Sequence, residues 1–398
     1  MSDDEAARPG RILPVIVFSQ FAGTSLWFAG NAVIGDLQEH WGLAGDVLGH
    51  ATSAVQAGFI AGTLVFAFFS ISDRYSPRRV FFACSLLGAM ANVGIHFANE
   101  GLTSLLASRF LTGFFLAGIY PVGMRIAAGW YRHDLGHAIG LLVGALVLGT
   151  AFPHLLKAAG QRLPWEEITI AVSVIAAGGG TLMLWFVPDG PYISSAARFD
   201  PKSLVTIFRS RVFRASAFGY FGHMWELYAF WAFVPVVLAA HAAGADAAFN
   251  VPLWSFVIIG AGAIGCAVGG LVSLRMGSGP VAFAQLLTSG LCCVASPLVF
   301  YAPSALFLAF MIVWGIAVVG DSPQFSTLNA QNAPKALVGS ALTIVNCIGF
   351  AITIVSIQLL NALSAAVDAA YLYLPLALGP AFGLAAMMPI VRRARGRA

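Results

Sequence analysis

Along this chain apolar residues neither alternate with polar ones nor recur on a single helical face; they fill long runs separated by short polar breaks. Twelve such runs lie near residues 12–35, 47–71, 79–98, 102–127, 136–158, 166–188, 212–240, 252–274, 280–301, 304–330, 337–362 and 368–391. A helix rises about 1.5 Å per residue, so about 20 residues cross the roughly 30 Å of bilayer hydrocarbon. Each run predicts a transmembrane helix. Barrel strands would alternate over about ten residues, whereas these runs are longer and apolar all round. The opening MSDDEAARPGR is polar and acidic, and the run behind it is too long for the apolar part of a cleaved leader. The first helix is expected to stay.

Composition sharpens the class. Of 398 residues, 59% are hydrophobic and 10% charged, with a mean hydropathy of +0.84, against about 25% charged in a soluble domain. The prediction is an all-α membrane protein. With the N-terminus inside, 18 of the 21 Lys and Arg fall on cytoplasmic segments, leaving Lys157 and Arg162 outside and Arg109 in the membrane. The positive-inside bias predicts both termini cytoplasmic, in an inner or plasma membrane. The net charge of +4 is accounted for by this topology and calls for no nucleic acid. The five cysteines lie in apolar runs without CxxC spacing or a neighbouring histidine, so no disulfide framework, metal or cofactor is expected. Many of the 43 glycines are expected at close helix contacts.

The longest polar stretch, residues 189–211, falls almost at the midpoint. It predicts a six-helix bundle over 1–190, a cytoplasmic linker over 191–211, amphipathic around Leu204 to Phe208, and a second bundle over 212–398. The halves echo one another. GFFLAGIYP places Gly113, Gly118 and Pro121, and GIAVVGDSP places Gly315, Gly320 and Pro323 at the same spacing. Phe21, Ala29 and Ala32 likewise match Phe221, Ala229 and Ala232. Two related bundles that rock about a shared site form a transporter's architecture.

SDRYSPRR, after the second run, resembles the cytoplasmic loop of the major facilitator superfamily, with Asp73, Arg74, Arg78 and Arg79 matching in type. The family's glycines are replaced there by Phe69 and by Ser76 with Pro77. RFLTG is similar to the family's Arg-x3-Gly pattern through Arg109 and Gly113, and GALVLGTAFP resembles an antiporter motif through Gly144, Gly149 and Pro153. The resemblance covers the chain and implies twelve helices in two pseudo-symmetric bundles, with the first, fourth, seventh and tenth lining a central cavity. It also implies a conformational gate at Asp73, Arg74, Arg78 and Arg79. The alternative for these arginines is a set of topology-setting surface charges.

Most of the seventeen acids fall in loops or near helix ends. Glu226 is about fourteen residues into the seventh run, about 21 Å along it, with His223 three residues away on the same side. Asp321 is deep in the tenth run and Arg109 in the fourth. A charge at mid-membrane costs roughly 2.5–3.5 kcal/mol even on lenient scales, so these four should face a bundle interior or a cavity. They are the candidates for proton coupling or substrate binding. The alternative is a structural set, with either acid held by Arg109 or His223. Gln20, Thr24, Trp27 and Asn31 form a polar stripe on the first helix; with Trp225, Tyr228, Thr343 and Asn346 they are candidate cavity-lining residues.

HExxH, GxSxG and phosphate-loop motifs are missing, so no enzymatic activity is expected. The expected function is secondary active transport of a small molecule, proton-coupled and leaning to proton antiport. Proton symport of a small anion, with Arg109 and His223 as its ligands, is the alternative; a membrane receptor or scaffold is a remoter one. The expected partners are substrate, proton and lipid, and one chain, holding both repeats, can act as a monomer.

Overall fold

The computed structural model describes residues 9–97, 100–131, 135–159, 163–192, 200, 203–246 and 248–395. Arg8, Arg132, Arg162, Arg198, Lys202, Arg397 and residues 193–199, 201 and 202 of the expected linker lie outside these residues; the rest of the linker includes a short helix, Ser203–Ile207. The described chain is helical, with no strand among its elements.

Twelve spans, α1–α12, follow one another. The first bundle holds α1 (Ile12–Thr24, continued by Ala29–Ala32 and Ile34–Trp41), α2 (Val47–Phe68), α3 (Pro77–Val93), α4 (Leu102–Leu116 and Tyr120–Trp130), α5 (Leu135–Ala159) and α6 (Trp165–Phe186). The second holds α7 (Arg211–Gly244), α8 (Val251–Met276), α9 (Ser278–Phe300), α10 (Ser304–Gly320 and Ser322–Asn332), α11 (Val338–Ser364) and α12 (Leu378–Arg395). Among the described residues, eleven helices are long and apolar enough to cross a membrane. The exception is α1, where a continuous helix over 12–35 was expected and a non-helical turn intervenes at residues 25–28. Just before it, the Thr24 hydroxyl donates to the Gln20 carbonyl at 2.8 Å and Ser25 to Ala22 at 2.6 Å. Such side-chain bonds to the preceding turn compete with the helical ladder.

The other two breaks repeat one device. Pro121 and Pro323 lack the N–H that would bond the carbonyls of Ala117 and Val319, so α4 and α10 are interrupted just ahead of them. On α8, Cys266 supplies a thiol donor to the freed Val319 carbonyl at 3.5 Å. Packing repeats as well. A methyl added to Gly113 would strike the Val55 carbonyl and one on Gly62 that of Phe114; Gly315 meets Ile258, and Gly265 meets Ile316, in the same way. The α2–α4 and α8–α10 crossings are thus the same contact, displaced by one repeat. Backbones this close need glycine, because only without Cβ can the helices touch.

Between bundles, α5 packs along α8 and α2 along α11. One end of the molecule carries Arg74, Arg78, Arg79 and Arg125; it is called the basic end below, and its opposite the far end. At the far end α11 latches onto the start of α2. Asn361 Nδ2 donates to the Asp46 carbonyl at 2.9 Å, and its Oδ1 accepts from the Gly49 N–H at 3.3 Å. Gln358 donates to the Gly49 carbonyl at 3.1 Å and to Ser53 at 2.8 Å. Four bonds worth about 0.5–1.5 kcal/mol each amount to a bias of a few kcal/mol toward closure. Replacing both amides by leucine is therefore expected to open this end. Spin labels at the exposed Ala44 and Ala365 should report a longer distance population in Gln358→Leu/Asn361→Leu, and an unchanged distribution would show that the latch does not hold the bundles together.

Candidate functional site

A small cavity of about 30 Å³ lies between the bundles, bounded by Tyr120 of α4, Val143 and Leu146 of α5, five residues of α7, Val319, Ser322 and Ser326 of α10, and Asn346 and Phe350 of α11. It has room for one or two water molecules. The α7 residues are Tyr220, Met224, Leu227, Tyr228 and Trp231, which share one face because residues three and four apart are helical neighbours. At about 100° per residue, His223 lies roughly 80° round the helix from that face and Glu226 roughly 140°. The acid is behind the cavity wall, not on it.

Glu226 points instead into the second bundle, fully buried. Its Oε2 accepts from the Cys293 thiol of α9 at 3.4 Å, and Ser289, one turn away on α9, is its other polar neighbour. Next to Cys293 on the same helix face, Ser289 accepts from Trp314 Nε1 of α10 at 3.1 Å. His223 Nδ1 stands 2.8 Å from Asp321 Oδ1, both side chains wholly buried. The ring is turned so that this contact is close but poorly aligned as a hydrogen bond. Asp321 sits at the break in α10, next to the cavity residue Ser322. The Tyr220 ring, on the cavity wall, lies 5.9 Å from the His223 ring. Asp321 and His223 therefore stand one side chain away from the cavity, and Glu226 lies farther off, on the opposite side of α7.

Arg109 is placed elsewhere. Buried inside the first bundle, it donates to the Leu26 carbonyl at 2.9 Å and the Trp27 carbonyl at 2.7 Å, both in the α1 break, and to Asn92 Oδ1 at 2.9 Å. A cation at carbonyls that end a helix segment is favourably placed. Gly30 leaves the space it needs, since a Cβ there would come within 2.9 Å of Arg109 Nε. The side chain is committed to protein groups and does not reach the cavity lining.

Of the polar stripe expected on α1, the break separates Gln20 and Thr24 from Asn31. Gln20 is buried with both amide atoms unpartnered, facing Gly123 of α4, and Asn31 donates to Thr52 of α2 at 2.8 Å. Trp27 backs the cavity: its indole donates to Gln56 at 3.3 Å and its ring lies 5.5 Å from Tyr228 and 5.6 Å from Phe350. Tyr228 and Asn346 line the cavity, the latter accepting from Tyr220 Oη at 2.9 Å. Thr343 is half-buried a turn away on α11. Trp225 faces the other way, bonding the Pro375 carbonyl at 3.2 Å in an apolar groove beside α12.

Twelve broken and unbroken spans, paired across two repeated bundles with a cavity between them, describe one architecture, and the sequence matches the Major Facilitator Superfamily over residues 16–357. The chain belongs to that superfamily. Its fold overlays that of the proton:xylose symporter XylE, bound to 6-bromo-6-deoxy-D-glucose, with a TM-score of 0.74 at 13% identity, covering 96% of this chain and 97% of the other. The human organic anion transporter MFSD10 gives 0.68 at 13% identity, covering 96% and 100%. In sequence, 28% identity over 38% of this chain links it to an uncharacterized transporter of Schizosaccharomyces pombe, matched over 30% of its length. A D-galactonate transporter of Escherichia coli is 25% identical over 46% of this chain and 42% of its own length. The chain thus aligns with less than half of each of these two relatives.

The superfamily's loop between α2 and α3 holds to its own bundle here. Asp73 pairs with Arg125 of α4, Ser76 donates to Asp189 at 2.8 Å, and Arg78 donates to the Leu184 carbonyl at 3.1 Å. Arg74 and Arg79 are exposed. Arg125 carries no motif signal and was foreseen only as a basic-end charge. Tyr120, Tyr220 and Ser322 were likewise missed; their one signal was position, within a turn or two of Pro121, Tyr228 and Pro323.

Proposed function

We propose that this protein is a secondary active transporter that moves a small organic molecule by alternating access and couples the movement to protons, in the antiport direction. The observation that carries the reading is the buried trio of Glu226, Asp321 and His223 in the second bundle, with Asp321 and His223 beside the cavity wall and without Lys or Arg among the trio's described contacts. Carboxyl groups so placed are costly, and those that persist in a membrane interior mark functional sites. The far end is latched, so the next step of a cycle would release Gln358 and Asn361 from α2. In this reading residues 1–190 and 212–398 are the rocking bundles, joined by the linker at 191–211. The protein sits as a monomer in an inner or plasma membrane, both termini and the basic end cytoplasmic. Asp73 and the loop arginines would re-pair as that end closes.

The test is charge movement on a solid-supported membrane, with proteoliposomes of wild type and Glu226→Gln exposed to organic cations, sugars and sugar acids across pH. Substrate-dependent current that varies with pH in wild type and falls to background in Glu226→Gln is expected. Full current in the variant would remove Glu226 from the coupling and leave Asp321 to carry it. Proton symport of an organic anion is a second reading, favoured by the similarity to the D-galactonate transporter; it predicts inward anion flux driven by an inward proton gradient.

A further inference from the structure

We propose that the outer face of the first bundle binds one phospholipid of net negative charge, of the phosphatidylglycerol class, with an acyl chain laid along α6 beside α1 and its phosphate at Arg11. The place is a groove of about 530 Å³ that shares no residue with the cavity between the bundles. Ile175, Gly178, Leu182, Trp185 and Phe186 of α6 form its floor, and Phe18 of α1 its side. The α6 positions recur at spacings of three and four, so they make one stripe along the helix. Thr181 supplies the groove's one hydroxyl, which donates back to the Ala177 carbonyl at 2.8 Å. The surface left over suits hydrocarbon.

Length points to a single chain of one leaflet. From Ile175 to Phe186 the groove covers about 16 Å at 1.5 Å per residue, close to half of the roughly 30 Å hydrocarbon core. It ends at the basic end. Trp185, 72% exposed, stands there in the last turn of α6, at the depth where indoles meet headgroups.

Gly178 is an independent sign of an occupant. Three glycines follow one another in α6. A Cβ on Gly179 would strike Ala22 of α1 and one on Gly180 would strike Ser85 of α3, so helix contacts account for both. One on Gly178 would meet nothing within 4 Å. Glycine weakens a helix relative to alanine, and no protein contact offsets that here. The space over Gly178 is the floor of the groove, where an acyl chain would rest.

Charge selects the headgroup. Arg11 Nε donates to the Phe186 carbonyl at 3.5 Å and Arg78 to the Leu184 carbonyl at 3.1 Å, so two arginines bracket the end of α6. Asp189 lies 3.9 Å from Arg78 and balances it, whereas exposed Arg11 has no acid beside it among the described residues. One positive charge is left at the mouth of the groove. The N–H groups of its guanidinium suit phosphate oxygens, and one such charge at the membrane surface favours an anionic lipid over a zwitterionic one by about fivefold. Neither the transported molecule nor the coupling ion takes part, so the site is independent of the transport reading.

Photolabelling of the full chain in liposomes tests this, using phosphatidylglycerol and phosphatidylcholine with a diazirine midway along one acyl chain and mapping the labelled peptides by mass spectrometry. In wild type the phosphatidylglycerol probe is expected to label residues 175–186 about fivefold more than the phosphatidylcholine probe does. It should also label them more than the exposed Ile264, Val268 and Leu271 of α8. Arg11→Gln should bring the two probes level at α6. Gly178→Leu adds a Cβ that meets no protein atom and improves helix propensity, so the variant should fold; it should lower labelling of α6 by both probes and leave α8 unchanged. Equal labelling of α6 and α8, equal labelling by the two probes in wild type, a preference kept in Arg11→Gln, or labelling unchanged in Gly178→Leu would each overturn the proposal, leaving unselective annular lipid.

Discussion

Arg109→Leu is expected to lower the stability of the protein by about 4 kcal/mol, because it leaves three buried acceptors without donors at about 1–3 kcal/mol each. These are the carbonyls of Leu26 and Trp27 and the side-chain oxygen of Asn92. Water cannot substitute, since Arg109 is 1% exposed. The measurement is chemical unfolding in detergent, with Asn92→Ala as the comparison. Asn92→Ala removes one acceptor and the amide's own bonds to Thr169 and Ser173, so it should cost less, about 1–2 kcal/mol. Arg109→Lys should recover only part of the loss, because an ammonium cannot present two forked donors to adjacent carbonyls. A loss under about 1 kcal/mol in Arg109→Leu would mean the α1 break is held by packing alone.

The second large effect belongs to His223 and Asp321. Removing one partner of a buried ion pair costs about 3–5 kcal/mol, because the other charge stays behind uncompensated, whereas replacing both by apolar groups is often nearly neutral. His223→Leu is therefore expected to be strongly destabilising and His223→Leu/Asp321→Leu much less so. Unfolding of the two single variants and the double variant closes a mutant cycle. Additive losses would show that the 2.8 Å contact contributes no coupling. All three variants should lose proton-dependent current, so stability and transport separate the structural part of the pair from its use.

Much of the fold was legible beforehand because its driving term is carried by composition. Runs of apolar residues 20 or more long must cross lipid as helices, wherever they lie in the chain, since each backbone group bonds within its own span. The repeat was legible for a related reason. Gly113 with Gly315, and Pro121 with Pro323, mark close backbone contacts and helix breaks that no other residue tolerates, so duplication left them in place. The break in α1 was not legible. No proline marks it, and the arginine that stabilises it comes from another span, 82 residues away.

The candidate site divides in the same way. That Glu226, Asp321, His223 and Arg109 avoid lipid follows from the cost of their charge, which one residue in one run suffices to show. Which of them meet does not follow. Pairing of His223 with Asp321 rather than with Glu226, its neighbour on the same helix, depends on how α10 breaks and approaches α7. The withdrawal of Glu226 from the cavity depends on helix rotation, and rotation is decided by packing against α9 and α10. Depth in the membrane is a property of distance along one helix, so the sequence by itself determined it. Direction around the helix is a property of neighbours, and only the tertiary structure decided that.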